Sequence, residues 1–417
     1  MHLIFCLTDI LTQFRSLFNR QNFTLFCTFI VGLITHRRHA TVTGIYQAVR
    51  PKTGYGSLVK FLSRGKWDAD RVATHLIQLL QSWFDNWVYV YDETHAIKTG
   101  TQQFGLHFFR NHRYQKRNPN QSKFHFGHQF GALGLLCSTV TETVLFPVWV
   151  KLICPQTLHN NSVAVLKRIV SQIPPGLILF DRGFNRRKVF ESVLEAGHHL
   201  LCRAKSNAVF YRLPATPKRP KRGRPKKYGR RLQLPQLRYE TIDMDNQRYS
   251  VASLVGRTKM CPATVRLVVI RTRCQQAKAF RYFCVYTTDL TLDLCQIVRY
   301  YQNRWLIETA FRDAKQHFGF DKYRVKSHQS INRLGQLSFV ATSLTQWGFN
   351  TISATGGSLT IEQVCRELGI DWYRPPKLTR GLMSEYLSAL IEGRLFSATT
   401  DEDTNSPDIH QTLDKAA

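Results

Sequence analysis

Acidic residues are scarce in this chain. Its 417 residues carry 28 Asp+Glu against 58 Lys+Arg, a formal net charge of +30. A surface of that sign repels basic partners and attracts a polyanion. Counterion release makes nucleic acid the default, with an anionic membrane or an acidic protein as weaker options. Paired cysteines are missing too. The ten present (Cys6, Cys27, Cys137, Cys154, Cys202, Cys261, Cys274, Cys284, Cys295, Cys365) include no C-x-x-C pair and no Cys/His ladder at zinc spacing. They read as reduced, mostly buried thiols of a cytosolic protein. Nor is there a long apolar run. The most apolar stretch, Phe23 to Ile34, is interrupted by Thr24, Thr28 and Gly32 and bounded by Arg20 and Arg37. It falls short of the roughly 20 residues a membrane span needs. A signal peptide would want a small-residue cleavage site where Thr35-His36-Arg37-Arg38 stands, so the stretch reads as a buried helix.

Hydrophobic residues at 43% and aromatics at 12% are enough for a real core, which excludes a mainly disordered polyelectrolyte. The length suggests two to four structural units at about 100–200 residues each. Residues 1–85 read as helical, with Leu7, Ile10, Leu11, Phe14, Leu17 and Phe18 at threes and fours. Basic and small residues follow around Thr41–Tyr46 and Tyr55–Arg64, as expected either for a helical DNA-binding unit or for a packing subdomain. Trp87-Val88-Tyr89-Val90-Tyr91-Asp92 predicts a strand that ends on a carboxylate. Further strands are expected over Phe124–Phe130 and Val144–Ile153, then a helix over Ser162–Ile173. Gly176-Leu177-Ile178-Leu179-Phe180-Asp181 is a second apolar run that stops at an Asp. The region 206–290 reads as a mostly β insertion and 291–350 returns to helical periodicity. Residues 351–417 read as helical with a polar tail that includes Thr399–Asp403.

Tyr300 to Gly319 can be drawn as one helix at about 100° per residue. Tyr301, Arg304, Glu308 and Lys315 then share a polar stripe, while Leu306, Ala310, Phe311, Ala314 and Phe318 take the apolar side. By pattern alone this is an ordinary solvated helix face. Asp313 lies off the stripe, and Asp289 and Asp293 are further acids that compete for a catalytic role.

The spacing Tyr301-x2-Arg304-x3-Glu308-x6-Lys315 resembles the Y-x2-R-x3-E-x6-K motif of bacterial DDE transposases of the insertion-sequence-4 superfamily. Tyr91-Asp92-Glu93-Thr94 and Leu179-Phe180-Asp181-Arg182-Gly183-Phe184 resemble the regions of the two catalytic aspartates in that family. The resemblance implies an α/β fold: an RNase H-like core over 86–205 and 291–350, interrupted by the β insertion, with N-terminal and C-terminal helices. It implies Asp92, Asp181 and Glu308 as the acidic triad, holding two Mg²⁺ ions for which Mn²⁺ may substitute. Phosphodiester chemistry needs charge stabilised on both the attacking and the leaving oxygen, which two such ions supply, and Mg²⁺ prefers carboxylates and water. By the same resemblance Tyr301, Arg304 and Lys315 contact DNA phosphates. Trp305 either stacks on a distorted DNA end or packs against the protein. Relatives that hold a flipped base on an insertion tryptophan have no counterpart here, since no Trp lies between Trp149 and Trp305. Tyr211, Tyr228 and Tyr239 are the alternatives.

A second basic signal, Pro217 to Arg231, holds Arg222, Arg224, Lys226 and Lys227 and no acid. It predicts an exposed phosphate-binding loop, with an AT-hook as the alternative reading of its Arg-Gly-Arg-Pro-Lys centre. His107, His112, His125 and His128 lack ligand partners at metal spacing and read as strand and loop residues. The expectation is therefore a cytoplasmic, nucleoid-associated transposase for cut-and-paste DNA transposition. It would act as a homodimer on terminal inverted repeats and target DNA, away from any membrane. A nuclease of the same fold and an inactive DNA-binding derivative are the alternatives.

Overall fold

The computed structural model describes residues 2–36, 40–111, 122–138, 142–157, 160–215, 223, 225–244, 247–274, 279–354, 359–373 and 375–393. Five helices come first: α1 (His2–Thr12), α2 (Arg20–Thr35), α3 (Val42–Val49), α4 (Tyr55–Arg64) and α5 (Ala69–Trp83). Side-chain oxygens start three of them. Asn19 accepts from the Asn22 amide at 2.9 Å, Thr41 from Gly44 at 3.1 Å and Asp68 from Asp70 at 2.7 Å. The apolar run of α2 is buried from Asn22 to Thr35 except at Thr24, as expected of a core helix. No helix among the described residues is long and apolar enough to cross a membrane.

Among the described residues, eleven strands form one mixed sheet. They are β1 (Trp87–Ile97), β2 (His107–Arg110), β3 (Phe124–Ser138), β4 (Thr143–Ile153), β5 (Leu177–Phe180), β6 (His199–Arg203), β7 (Phe210–Arg212), β8 (Glu240–Met244), β9 (Gln247–Thr258), β10 (Cys261–Cys274) and β11 (Ala279–Thr287). The order is β2-β3-β1-β5-β6-β11-β10-β9-β7, with β4 also on β3 and β8 on β9. Only β1–β5 and β5–β6 are parallel pairs. Helix α6 (Ser162–Val170) precedes β5, and α7 (Arg187–Glu195) makes the crossover from β5 to β6. All four residues of β5 are buried, which explains why Leu-Ile-Leu-Phe carries no polar alternation. The strands between 206 and 290 continue the same sheet, because β11 pairs with β6.

Two expectations need correction. β1 does not end at Asp92 but runs to Ile97. Its parallel ladder with β5 stops at Tyr91↔Phe180, whereas the antiparallel ladder with β3 continues from Asp92↔Ala132 to Ile97↔Gly127. A strand with two neighbours lasts as long as the longer ladder. The single helix expected over 300–319 is instead two, α8 (Leu294–Asn303) and α9 (Leu306–His317). At the join the amides of Arg304, Ile307 and Glu308 reach carbonyls three residues back, at 3.3, 3.3 and 2.9 Å. That tighter bonding interrupts the α ladder without leaving helical dihedrals.

The last helices among the described residues are α10 (His328–Ala354), α11 (Ile361–Glu367) and α12 (Arg380–Ile391). α10 lies along the outer edge of β4 and bonds to it with side chains. Gln336 donates to Val148 O at 2.7 Å and accepts from Val150 N at 3.1 Å, and Asn332 accepts from Leu152 N at 2.8 Å. An edge that would otherwise present unpaired backbone groups is thereby closed. From the same helix Arg333 donates to the carbonyls of Phe61, Leu62, Gly65 and Trp67, which ties the end of α4 to the core. α9 ends at His317, and Gly319 follows its cap residue Phe318 with a φ of 65° that suits glycine and a bare Cα against Ala40.

Candidate active site

The β1–β5 register decides where the site forms. Pairing Tyr91 with Phe180 sets Asp92 and Asp181 side by side where the parallel ladder stops. Open α/β sheets bind ligands at the carboxyl ends of their parallel strands. Glu308, in the first turn of α9, completes the group. The cation among them is Arg304. Its Nη1 is 3.4 Å from Asp92 Oδ2, and its Nη2 is 3.8 Å from Asp181 Oδ1 and 3.3 Å from Glu308 Oε1. Tyr301 donates its hydroxyl to Asp181 Oδ1 at 3.3 Å. Arg304 therefore touches all three acids, and Tyr301 touches one of them.

Exposure grades outward through the cluster: side chains are 10% exposed for Arg304, 20% for Asp92, 41% for Asp181 and 63% for Glu308. Burial pushes the Asp92 carboxyl up to about 7, and the charges of Asp181 and Glu308 push the same way. Arg304 and the Glu93 amide, which donates to Asp92 Oδ1 at 2.8 Å, oppose that rise. Burial also works against the charge of Arg304, yet Asp92, Tyr301, Asp181 and Glu308 hold its pKa above the ordinary value. Burial raises the Tyr301 hydroxyl, so it stays a donor.

In kind, the donor set suits a hard divalent cation: three carboxylates with no sulfur or imidazole. Among the described residues, no three His, Cys, Asp or Glu side chains are grouped closely enough to hold a metal ion. The guanidinium of Arg304 stands at the point the acids share.

Trp305 is 54% exposed and lines a cavity of about 480 Å³ with Asp181, Arg203, Phe283, Tyr301 and Arg304. Lys315 is half-buried two turns along α9 from Glu308, about 10 Å by helical rise. Lys226 and Lys227 are exposed beyond β7, which pairs with the chain at Arg231. In the sheet order β7 lies five strands from β5. Arg222 and Arg224, two of the five residues of the AT-hook centre, lie outside the described residues, as do His112 and the tail from 394.

The competing acids have other duties. Asp293 caps α8 in a reciprocal capping box with Gln296, Asp289 accepts from Thr291 Oγ1 at 2.6 Å, and Asp313 is buried against Arg380. His128 is buried between Tyr323 Oη at 2.7 Å and Phe104 O at 2.9 Å. Sequence reasoning missed Arg203 and Phe283. The Arg203 guanidinium lies 4.5 Å from the centre of the Phe283 ring, which stands edge-on to Tyr301. A signal existed in His199-Leu200-Leu201-Cys202-Arg203, a third apolar strand that ends on a charge beside Asp181.

A cluster of acids at the ends of parallel strands, on a chain of charge +30, defines an enzyme site that faces a polyanion. The sequence profile described as transposase DDE domain matches residues 84–344, more than half of the chain and the whole of this site. The chain belongs to the transposase DDE domain family. It is thus a transposase, an enzyme of a kind that cleaves nucleic acid and transfers strands and generally uses divalent metal ions. Comparison with curated proteins finds none that matches.

Proposed function

We propose that the protein carries out cut-and-paste transposition of an insertion sequence of the insertion-sequence-4 superfamily, with Asp92, Asp181 and Glu308 as its catalytic acids. The observation that carries the proposal is the meeting of these acids, from β1, β5 and α9, around Arg304. The strand order β4-β3-β1-β5-β6, antiparallel up to β1 and parallel after it, supports an RNase H-like core. In this reading residues 86–205 and 291–350 form the core, 206–290 the insertion, 1–85 an end-binding region and 351–417 a C-terminal region. A homodimer would pair two transposon ends, because each site works on one end.

Asp92, Asp181 and Glu308 would hold Mg²⁺ or Mn²⁺, which would supply charge stabilisation for phosphodiester hydrolysis and strand transfer. The chain's own residues hold the substrate. Arg304 offers a planar fork to a phosphate and Lys315 a point charge on the same face of α9. Tyr301 is a neutral hydroxyl donor, and Trp305 presents an open indole for stacking beside Asp181. Asp92 must shed the proton that burial favours before it can serve as a ligand.

The test is cleavage and joining of a labelled duplex carrying the element's end, with Mg²⁺ or Mn²⁺, for wild type and Glu308→Gln. Nicking and joining by wild type alone, with equal binding by both proteins, is the expected result. Cutting without joining would indicate a nuclease. Binding without either reaction would leave a DNA-binding derivative.

A further inference from the structure

We infer that Arg304 is a tethered cation that holds the shared centre of the three carboxylates while DNA is absent and yields that place to divalent metal when a DNA phosphate draws it away. The inference deepens the reading of Asp92, Asp181 and Glu308 as the metal-binding acids and rests on it.

The geometry is that of an occupant held by charge. An arginine fitted to one carboxylate makes two short parallel bonds of about 2.7–2.9 Å. Arg304 instead spreads two nitrogens over three acids, at 3.4, 3.8 and 3.3 Å. Each carboxylate receives part of a cation and none receives a full fork. One positive charge among three acids leaves the cluster short of positive charge when all three are ionised, which is the condition for taking up more. While the guanidinium is in place, an incoming ion meets like charge at the centre it needs, in a region where Arg304 is only 10% exposed and screening is weak.

The side chain also has somewhere to go. Arg304 lies at the break between α8 and α9 and lines the cavity of about 480 Å³ that opens past Trp305. A phosphate there would attract the guanidinium out of the acids, and metal and arginine would exchange places. Linkage then requires that DNA tighten metal binding by the factor by which metal tightens DNA binding, typically about 5–150-fold. The site would load with metal mainly after its substrate has arrived.

The experiment measures Mn²⁺ binding by the electron spin resonance of free Mn²⁺, using the full chain with and without a short DNA duplex. Without DNA, Arg304→Gln should bind Mn²⁺ about tenfold or more tightly than wild type, and Arg304→Lys, which keeps a tethered charge, should stay near wild type. Adding the duplex should tighten wild type by a larger factor than Arg304→Gln, in which the phosphate oxygens can add to the metal's ligands but no arginine has to be displaced. A folded Arg304→Gln that binds Mn²⁺ no tighter than wild type overturns the inference. Should that variant not fold, a wild-type affinity that the duplex does not change overturns it equally. The double variant Asp92→Asn with Asp181→Asn separates the two readings: Mn²⁺ binding that survives it removes the acids as metal ligands, and with them the active-site reading itself.

Discussion

Helix α9 carries two arginine–carboxylate sites that differ in almost every physical respect. Near its middle, Asp313 meets Arg380 of α12 at 3.1 Å, with side chains only 11% and 8% exposed, and Arg380 also donates to the Leu145 carbonyl. Burial pulls the Arg380 pKa down while Asp313 supports its charge. At the start of the helix, Arg304 serves Asp92, Asp181 and Glu308 together, through longer contacts and beside open solvent. The first site is balanced in its buried part, one acid to one base, with the exposed Arg312 a second contact of Asp313 at 3.5 Å, and it joins α12 to the core. The second is unbalanced, and the surplus of acids is what gives it chemistry to perform. The ratio of acids to bases and access to solvent separate a fastening from a site; the residue types do not.

The largest effect should come from the unbalanced site. Glu308→Gln should lower end cleavage by about 10²–10³-fold or more, as expected when a group directed at developing charge is removed, while the urea unfolding midpoint stays put. Loss of stability alongside activity would make Glu308 a fastening as well. The balanced site should respond in the opposite way. Arg380→Ala should cost about 3 kcal/mol in urea unfolding by leaving the buried Asp313 with the exposed Arg312 alone, and Arg380→Met with Asp313→Leu should recover most of it.

A smaller effect follows from Asp92. Its carboxyl sits up at about 7, against an ordinary value near 4, so the folded protein keeps a proton that the unfolded chain has released between those values. Its contribution to stability is present at pH 4, falls as pH rises through about 7, and is level above that. Relative to wild type, Asp92→Asn should be near-equal at pH 4 and more stable at pH 8. Equal unfolding midpoints for the two proteins at pH 8 would contradict this. Trp305→Ala should change stability by no more than about 0.5 kcal/mol but weaken DNA binding by about 1–3 kcal/mol if the indole stacks. Fluorescence anisotropy decides, and an unchanged affinity would reduce Trp305 to packing. Smallest of all, Lys226→Ala and Lys227→Ala should each lower the salt slope of DNA binding by about 1.

Much of this was legible in the order of residues. Four motif positions at set intervals pointed to Tyr301, Arg304, Glu308 and Lys315, and β5 ended on Asp181 as its apolar run indicated. Local periodicity also marked the helices before residue 85, because amphipathic spacing and caps are written in neighbouring residues. The length of β1 was not legible, since it depends on a ladder with β3 some 40 positions away. Nor was the burial of Gln336, Ser338, Thr342 and Ser343 in α10, polar residues that look like a solvent face and in fact meet backbone groups or the core.

The sequence by itself determined which residues carry charge and chemistry, where several of the helices and strands lie, and that the surface would face a polyanion. Only the tertiary structure decided that Asp92 and Asp181 would be neighbours, that β11 would extend the core sheet through β6, and that one arginine would stand among three acids. The physical reason is range. Propensity and periodicity act over a few residues, whereas register, edge closure and the sharing of a buried charge are settled by partners that only folding brings within reach.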